Sequence, residues 1–460
     1  MSITSNLPEL DKRPHIFVHQ DGDKAVAIYP NGDIEKNSDH YIVLQDAVNY
    51  AHDKGYVVKL APGKYVIEGE VLKLPNEYVS AYGLIGTTLH TVPNESFLSR
   101  STTIILRNSR IETTKFDKNN YSFIYLDNLN IQIYDLDTYE AIKLSPYNIY
   151  FVGKLAVTAR ENVNVGAVLH IGDASDNSGL GSFIDSLFVA VSGNKNNKVD
   201  CVFLHGASWY KIKHLHINIG AEVYPANKLP DLGYSAPGVG TTRIYAYWRT
   251  ASYGNDIYYM YVDTEASNVE TAIALAASAG TGIPNFIHIL RLGGAVKLTG
   301  VASDGHYSGG IIDYLIFEIP PTLHYEIFDP AARIFVRNVE RVNGPGSPIQ
   351  ASNDSSTAPG PYLYGTMYVN VTIPAGTYSA GQVLSFYVKN YLLNRGSISV
   401  PRRITVLPVT NTSLPVQFRG VDMSVFGNDY LLRIDVIFYA SASPTSDETI
   451  TLMVKIEDVF

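Results

Sequence analysis

The chain has 460 residues, about two to three times the length of a typical domain, with 46% hydrophobic and 17% charged residues. This excludes a disordered chain and leaves several domains or one elongated repeat. The formal net charge of −9, without long runs of either sign, excludes a polybasic nucleic-acid or membrane-surface footprint, and the single Cys201 excludes an internal disulfide or a Cys-based zinc site.

The first fifteen residues, MSITSNLPELDKRPH, are polar and lack the apolar core of a signal peptide. No stretch reaches 18 consecutive apolar residues, and the nearest, 271–283, is interrupted by Ser and Gly. A soluble chain without membrane insertion is expected. Residues 15–35 read as a hairpin unit, with Asp21-Gly22 and Asn31-Gly32 at tight turns. Ser38 or Asp39 then caps a short helix over 41–53, with Val43, Ala47, Val48 and Ala51 on one face and Lys54-Gly55 as its stop.

From about residue 56 to 342 helical periodicity vanishes and a four-point apolar template recurs. It reads Leu126-Leu129-Ile131-Ile133, Val152-Leu155-Val157-Ala159, Ile184-Leu187-Val189-Val191, Ile212-Leu215-Ile217-Ile219 and Ile312-Leu315-Phe317-Ile319. Weaker copies start at Ile257, Ile287 and Val336, and the eight starts lie 24 to 45 residues apart. Strand-like repeats at this period predict stacked coils, each burying its inward side chains only against its neighbours. Residues 343–361 are rich in Gly, Pro, Ser and Asn and read as a linker, and the last stretch, 362–460, reads as a small antiparallel β-sandwich.

The segment LQDAVNYAHDKGYVVKLAPGKYVIEGEVLKL, beginning at Leu44, resembles the N-terminal cap of the pectate-lyase-like right-handed parallel β-helices. The hairpin before it is similar to the version in archaeal and virus-associated members. The resemblance implies an all-β fold in four parts: an N-terminal cap of hairpin and helix (1–55), a parallel β-helix (56–342), a linker (343–361) and a C-terminal sandwich (362–460). Viral tailspikes and tail fibres of this family are typically trimers that bind host surface glycans, and some cleave them. The low content of Gln (6), Cys and Met fits a hot habitat, so an archaeal virus is the expected source.

The pectinolytic signatures of the family are absent, and no cofactor or metal is expected. Asp127, Asp185 and Asp313 each follow the first apolar position of the template and should share one face, Asp185 and Asp313 being the candidates if the protein is an enzyme. Asp173 and Asp176 read as a turn. His205, His214 and His216 read as outward residues of a coil rather than metal ligands. The 45-residue interval before Ile257 carries Tyr224, Tyr245, Tyr247, Trp248 and Arg249, whose rings and guanidinium suit sugar stacking and hydroxyl bonding.

The expected function is viral attachment to host carbohydrate or glycoprotein, in a virion tail or surface spike with other virion proteins. The alternatives are a polysaccharide lyase or glycoside hydrolase and a cellular surface adhesin, extracellular in origin. Limited proteolysis should cut first within 343–361, and mass spectrometry of the earliest fragments checks it. Initial cleavage between residues 56 and 342 would move the boundary.

Overall fold

The computed structural model describes residues 12–77, 80–87, 101–114, 121–172, 181–191, 200–205, 207–219, 241–245, 254–264, 273–275, 285–293, 298–300, 308–317, 332–341, 349–355, 366–389, 402–423 and 431–458. These are mostly β-strand, arranged in two large sheets of parallel strands and two smaller, largely antiparallel ones, with one α-helix among the described residues. None of the described helical residues forms a helix long and apolar enough to cross a membrane.

The N-terminal strands His15–Asp21, Lys24–Ile28 and Ile34–Asn37 form an antiparallel ribbon. Asp21 pairs with Lys24, so the loop holds two residues, and Gly22 takes the positive φ of 68° that such a turn needs. Asp39 accepts the N–H of Tyr41 to cap helix His40–Lys54, and Gly55 at φ 69° ends it. The helix buries Val43, Leu44, Ala47, Val48 and Ala51 in the common core. Strand Val57–Leu60 then pairs in parallel with His15–Asp21, so the ribbon closes the exposed edge of the first parallel strand.

The sequence template becomes lateral register. Leu126, Val152, Ile184, Ile212, Ile257, Ile287, Ile312 and Val336 are successive strand partners. So are Leu129, Leu155, Leu187, Leu215, Met260, Leu290, Leu315 and Val339. Each interval of 24 to 45 residues thus collapses to one interstrand step of about 4.8 Å.

A second sheet stacks Val71–Leu74, Arg110–Thr113, Asp137–Leu144, Asn164–Gly172, Asp200–His205, Thr241–Tyr245, Ile273–Leu275 and Leu298–Gly300 in parallel. The four-point template does not reveal these strands. Asn164–Gly172 is buried at eight of nine positions, so the alternation that marks a half-exposed strand is missing.

Polar ladders fix the entry to the large sheet. Asn255, fully buried, accepts the Tyr210 N–H at 2.9 Å and donates Nδ2 to the Ala207 carbonyl at 2.9 Å and to Asn285 Oδ1 at 3.0 Å. Asn255→Ala would strand a buried N–H and a buried carbonyl, at a cost of about 2–4 kcal/mol. Thermal unfolding followed by circular dichroism should show the loss; an unchanged melting curve would mean that the ladder is energetically neutral.

Beyond the parallel strands, Ile349–Gln350, Thr366–Ile373, Glu448–Asp458 and Arg402–Pro408 form one sheet, and Val383–Lys389, Leu431–Phe438 and Val416–Asp422 another. One expectation changes here. The described part of the expected linker, 349–355, is docked: Ile349–Gln350 pairs with Val369 and Asn370, and Ala351 is buried. Strand Val416–Asp422 is preceded by Pro415 and contains Gly420, residue types that locally favour turns. Gly420 is needed for packing, since a Cβ there would lie 2.0 Å from Ile404 Cγ2 of the other sheet.

Asp435, 1% exposed, accepts from Arg419 at 2.7 Å, Arg433 and Ser385. Burial pushes its carboxyl up, but these donors outweigh burial and hold it below the ordinary carboxylate range. The folded state therefore gains stability above the unfolded pKa and loses it as pH falls through the folded one. Asp435→Asn should cost about 1–3 kcal/mol at neutral pH and flatten the stability profile below about pH 4. Melting temperatures measured from pH 2 to 7 check both the cost and its sign.

Candidate functional site

At the start of the large sheet two columns of residues run across the strands, each residue one strand step from the last. The corner column runs Asp127, Gly153, Asp185, Lys213, Tyr258, His288, Asp313, as fixed by the flanking register pairs. The three expected aspartates thus share one column. Asp185 and Asp313 lie four steps apart, about 19 Å, beyond the spacing of a glycosidase carboxylate pair.

Each aspartate is tied to its neighbours. Asp127 Oδ1 accepts the N–H groups of Lys154 at 2.8 Å and Asn128 at 2.9 Å, above Gly153, where a Cβ would fall 2.1 Å from the same oxygen. Burial pushes its carboxyl up despite those bonds. Asp185 takes the Lys213 ammonium at 2.8 Å. His288 bridges Asp256 and Asp313, with each ring nitrogen 2.8 Å from a carboxylate oxygen.

The middle column reads Tyr125, Phe151, Phe183, Lys211, Asp256 and Phe286. Its rings stack: Tyr125 on Phe151 at 4.9 Å and 11°, Phe151 on Phe183 at 5.7 Å and 10°, with Lys211 Nζ 5.9 Å from the Phe183 centroid. Arg13 lies 6.0 Å from the Tyr125 ring and donates to the Ala81 carbonyl at 2.6 Å.

Trp209 stands beside this stripe and was not singled out in the sequence. It is 49% exposed and left-handed, at φ 65°, in a region that large side chains avoid. Glycines make room on both sides: a Cβ at Gly181 would lie 2.8 Å from the Trp209 carbonyl oxygen, and one at Gly254 would lie 2.8 Å from indole Cε3. The next residue, Tyr210, is fully buried with its N–H bound to Asn255, so the backbone under the indole is anchored. No local sequence signal marks it, because the two glycines lie 28 and 45 residues away and meet Trp209 only in the fold.

The other expected residues fall differently. Tyr224, Tyr247, Trp248 and Arg249 lie outside the described residues, as do Asp173 and Asp176. Tyr245 ends strand Thr241–Tyr245, its backbone paired with His205. His214 faces Tyr259 at 6.1 Å, whereas His216 sits between Phe188 at 4.9 Å and Tyr261 at 4.8 Å, so their rings serve different aromatic contacts. Among the described residues no three His, Cys, Asp or Glu side chains are grouped to hold a metal.

Chemically, the face offers stacked rings, one half-exposed indole and charged groups at its rim, which suits the apolar C–H faces and hydroxyls of sugars. Gly254→Ala should push the indole off its seat, shifting tryptophan emission with little loss of strand content. Fluorescence and circular dichroism of the variant check this; an unshifted emission spectrum would mean that the seat does not hold the ring.

No family model and no curated protein matches the chain. Among solved structures, a double mutant of the tailspike protein of E. coli bacteriophage HK620 is 11% identical, with 98% of this chain and 94% of that chain covered and a TM-score of 0.32. A mutant of the same tailspike in complex with pentasaccharide is 11% identical, covering 94% and 92%, with a TM-score of 0.31. The Pseudomonas phage phi297 tailspike gp61 is 8% identical, covering 88% and 67%, with a TM-score of 0.31. TM-scores at this level do not establish a shared site.

Proposed function

We propose that the protein is an attachment protein of a virus particle, of the tailspike or tail-fibre kind, that binds host cell-surface glycans through the face around Trp209. The observation that carries the reading is the half-exposed indole, held at an unfavourable φ between Gly181 and Gly254. Strain of this kind persists where the surroundings over-determine it, and it clusters at ligand sites. The half-buried Phe151 and Phe183, stacked on the buried Tyr125, continue the apolar surface beside it.

In this reading the stacked parallel strands are a right-handed β-helix rod behind the 1–55 cap, and the C-terminal sheets are a separate sandwich. Three rods associate side by side as a homotrimer in a virion tail or surface spike, and the cap resemblance makes an archaeal virus the source. Tyr224, Tyr245, Tyr247, Trp248 and Arg249 are further glycan contacts in this reading, proposed from the sequence alone.

Trp209→Asn removes the ring while Asn still tolerates the left-handed backbone. Lost stacking of roughly 1–3 kcal/mol should weaken glycan binding about 5- to 150-fold, measured on a glycan array and by host-cell binding of the folded variant. Unchanged binding would remove the site. A lower oligomer mass instead of lower binding would make the face a subunit interface.

Glycan cleavage is the second reading. Asp127, with its carboxyl pushed up, and Asp185 lie two steps apart, about 10 Å, across the side-chain-free Gly153. Release of reducing ends, lost in Asp185→Asn, would favour it.

A further inference from the structure

We infer that the outer face of the three-stranded C-terminal sheet docks a short acidic segment of another protein, a contact independent of the Trp209 face. In strand Leu431–Phe438, Leu432, Ile434 and Val436 are buried in the core, so Arg433, Asp435 and Ile437 point the other way. Strand register sets Ser385 and Arg419 on either side of Asp435, and Tyr387 and Val421 on either side of Arg433. Two guanidinium groups thus surround one carboxylate, whose acceptor sites are taken. Oδ1 meets Ser385 and Arg433 Nε, each at 2.9 Å, and Oδ2 meets Arg419 Nη2 at 2.7 Å and Arg433 Nη2 at 3.2 Å. The Arg419 side chain is 61% exposed, and among the described residues it bonds only Asp435, through Nη2. Its other donors remain for an outside acceptor.

Charge and area together choose the occupant. Asp435 is 1% exposed, so a partner meets the arginines and not the acid, which selects a carboxylate. A twofold contact with a second copy would set the arginines of one face against those of the other, with both acids buried. Three strands of seven or eight residues cover roughly 300 Å², well below the roughly 800 Å² per side of a stable interface between folded proteins. A single extended segment of about seven residues matches that area. The rows also recur every two residues, about 6.8 Å, the spacing of side chains on one side of an extended peptide. Val383, 46% exposed, and Ile437 form the row before Asp435, and Val421 stands in the row after it. The segment therefore places acidic side chains centrally with aliphatic ones at its ends.

The test uses the full-length protein and fluorescein-labelled heptapeptides of sequence Val-Ser-Glu-Ser-Glu-Ser-Val, with both Glu replaced by Gln or by Lys as controls. Fluorescence polarisation at low salt should show the Glu peptide binding about tenfold or more tightly than either control. Arg419→Gln should weaken the Glu peptide roughly 5- to 10-fold, with circular dichroism unchanged because Arg433 and Ser385 still hold Asp435. Arg419→Lys should keep most of the binding, and Val383→Asp should lose it. Lys24→Gln, which changes net charge equally on the distant hairpin, should bind like the parent. Equal binding of the three peptides, no binding of the Glu peptide, or binding unchanged in Arg419→Gln would each overturn the inference. A lower oligomer mass of Arg419→Gln would make the face a contact between copies and overturn it too. So would glycan binding that is lost in Arg419→Gln but kept in Trp209→Asn, which would assign the face to a sugar.

Discussion

In-register stacking of parallel strands is the constraint on which the rest depends. Because each strand of the large sheet places the same template position one step along from the last, a single residue property is repeated along a column. Inward columns become the core: Leu129, Leu155, Leu187, Leu215, Met260, Leu290 and Leu315 are all buried and consecutive. Outward columns become surfaces with a repeating chemistry, which is why stacked rings and alternating charges arise without any local sequence motif. The cap exists for the same reason, since the first strand would otherwise offer an open edge.

The corner column illustrates how such a surface balances charge. Asp127 is held by backbone N–H groups, Asp185 by Lys213, and Asp256 and Asp313 by His288. Pairs this exposed contribute little to stability one by one, so their effect is to set register and to neutralise the acids.

The residues at Trp209 show strain and permissiveness working together. Gly181 and Gly254 make space for a backbone carbonyl and an indole that no other residue type would leave. The buried Tyr210 and Asn255 then hold the backbone in place, so the aromatic plane is presented without further ordering.

The sequence alone determined the cap, helix and template, because these rest on short-range rules: Asp39 and Gly55 at helix ends, Gly22 at a two-residue turn, and apolar spacing within a coil. It also placed Asp127, Asp185 and Asp313 at one template position, hence in one column. Only tertiary structure decided what those positions meet. Partners such as His288 and Asp256, or Trp209 and Gly254, lie tens of residues apart and touch only because loops of unequal length close onto the same step. The second parallel sheet stayed hidden because burial on both faces erases alternation, and Val416–Asp422 because a glycine required for packing against Ile404 reads as a turn. Periodicity records which way a side chain points relative to its own strand; which side chain comes to lie beside it is a property of the stacked chain.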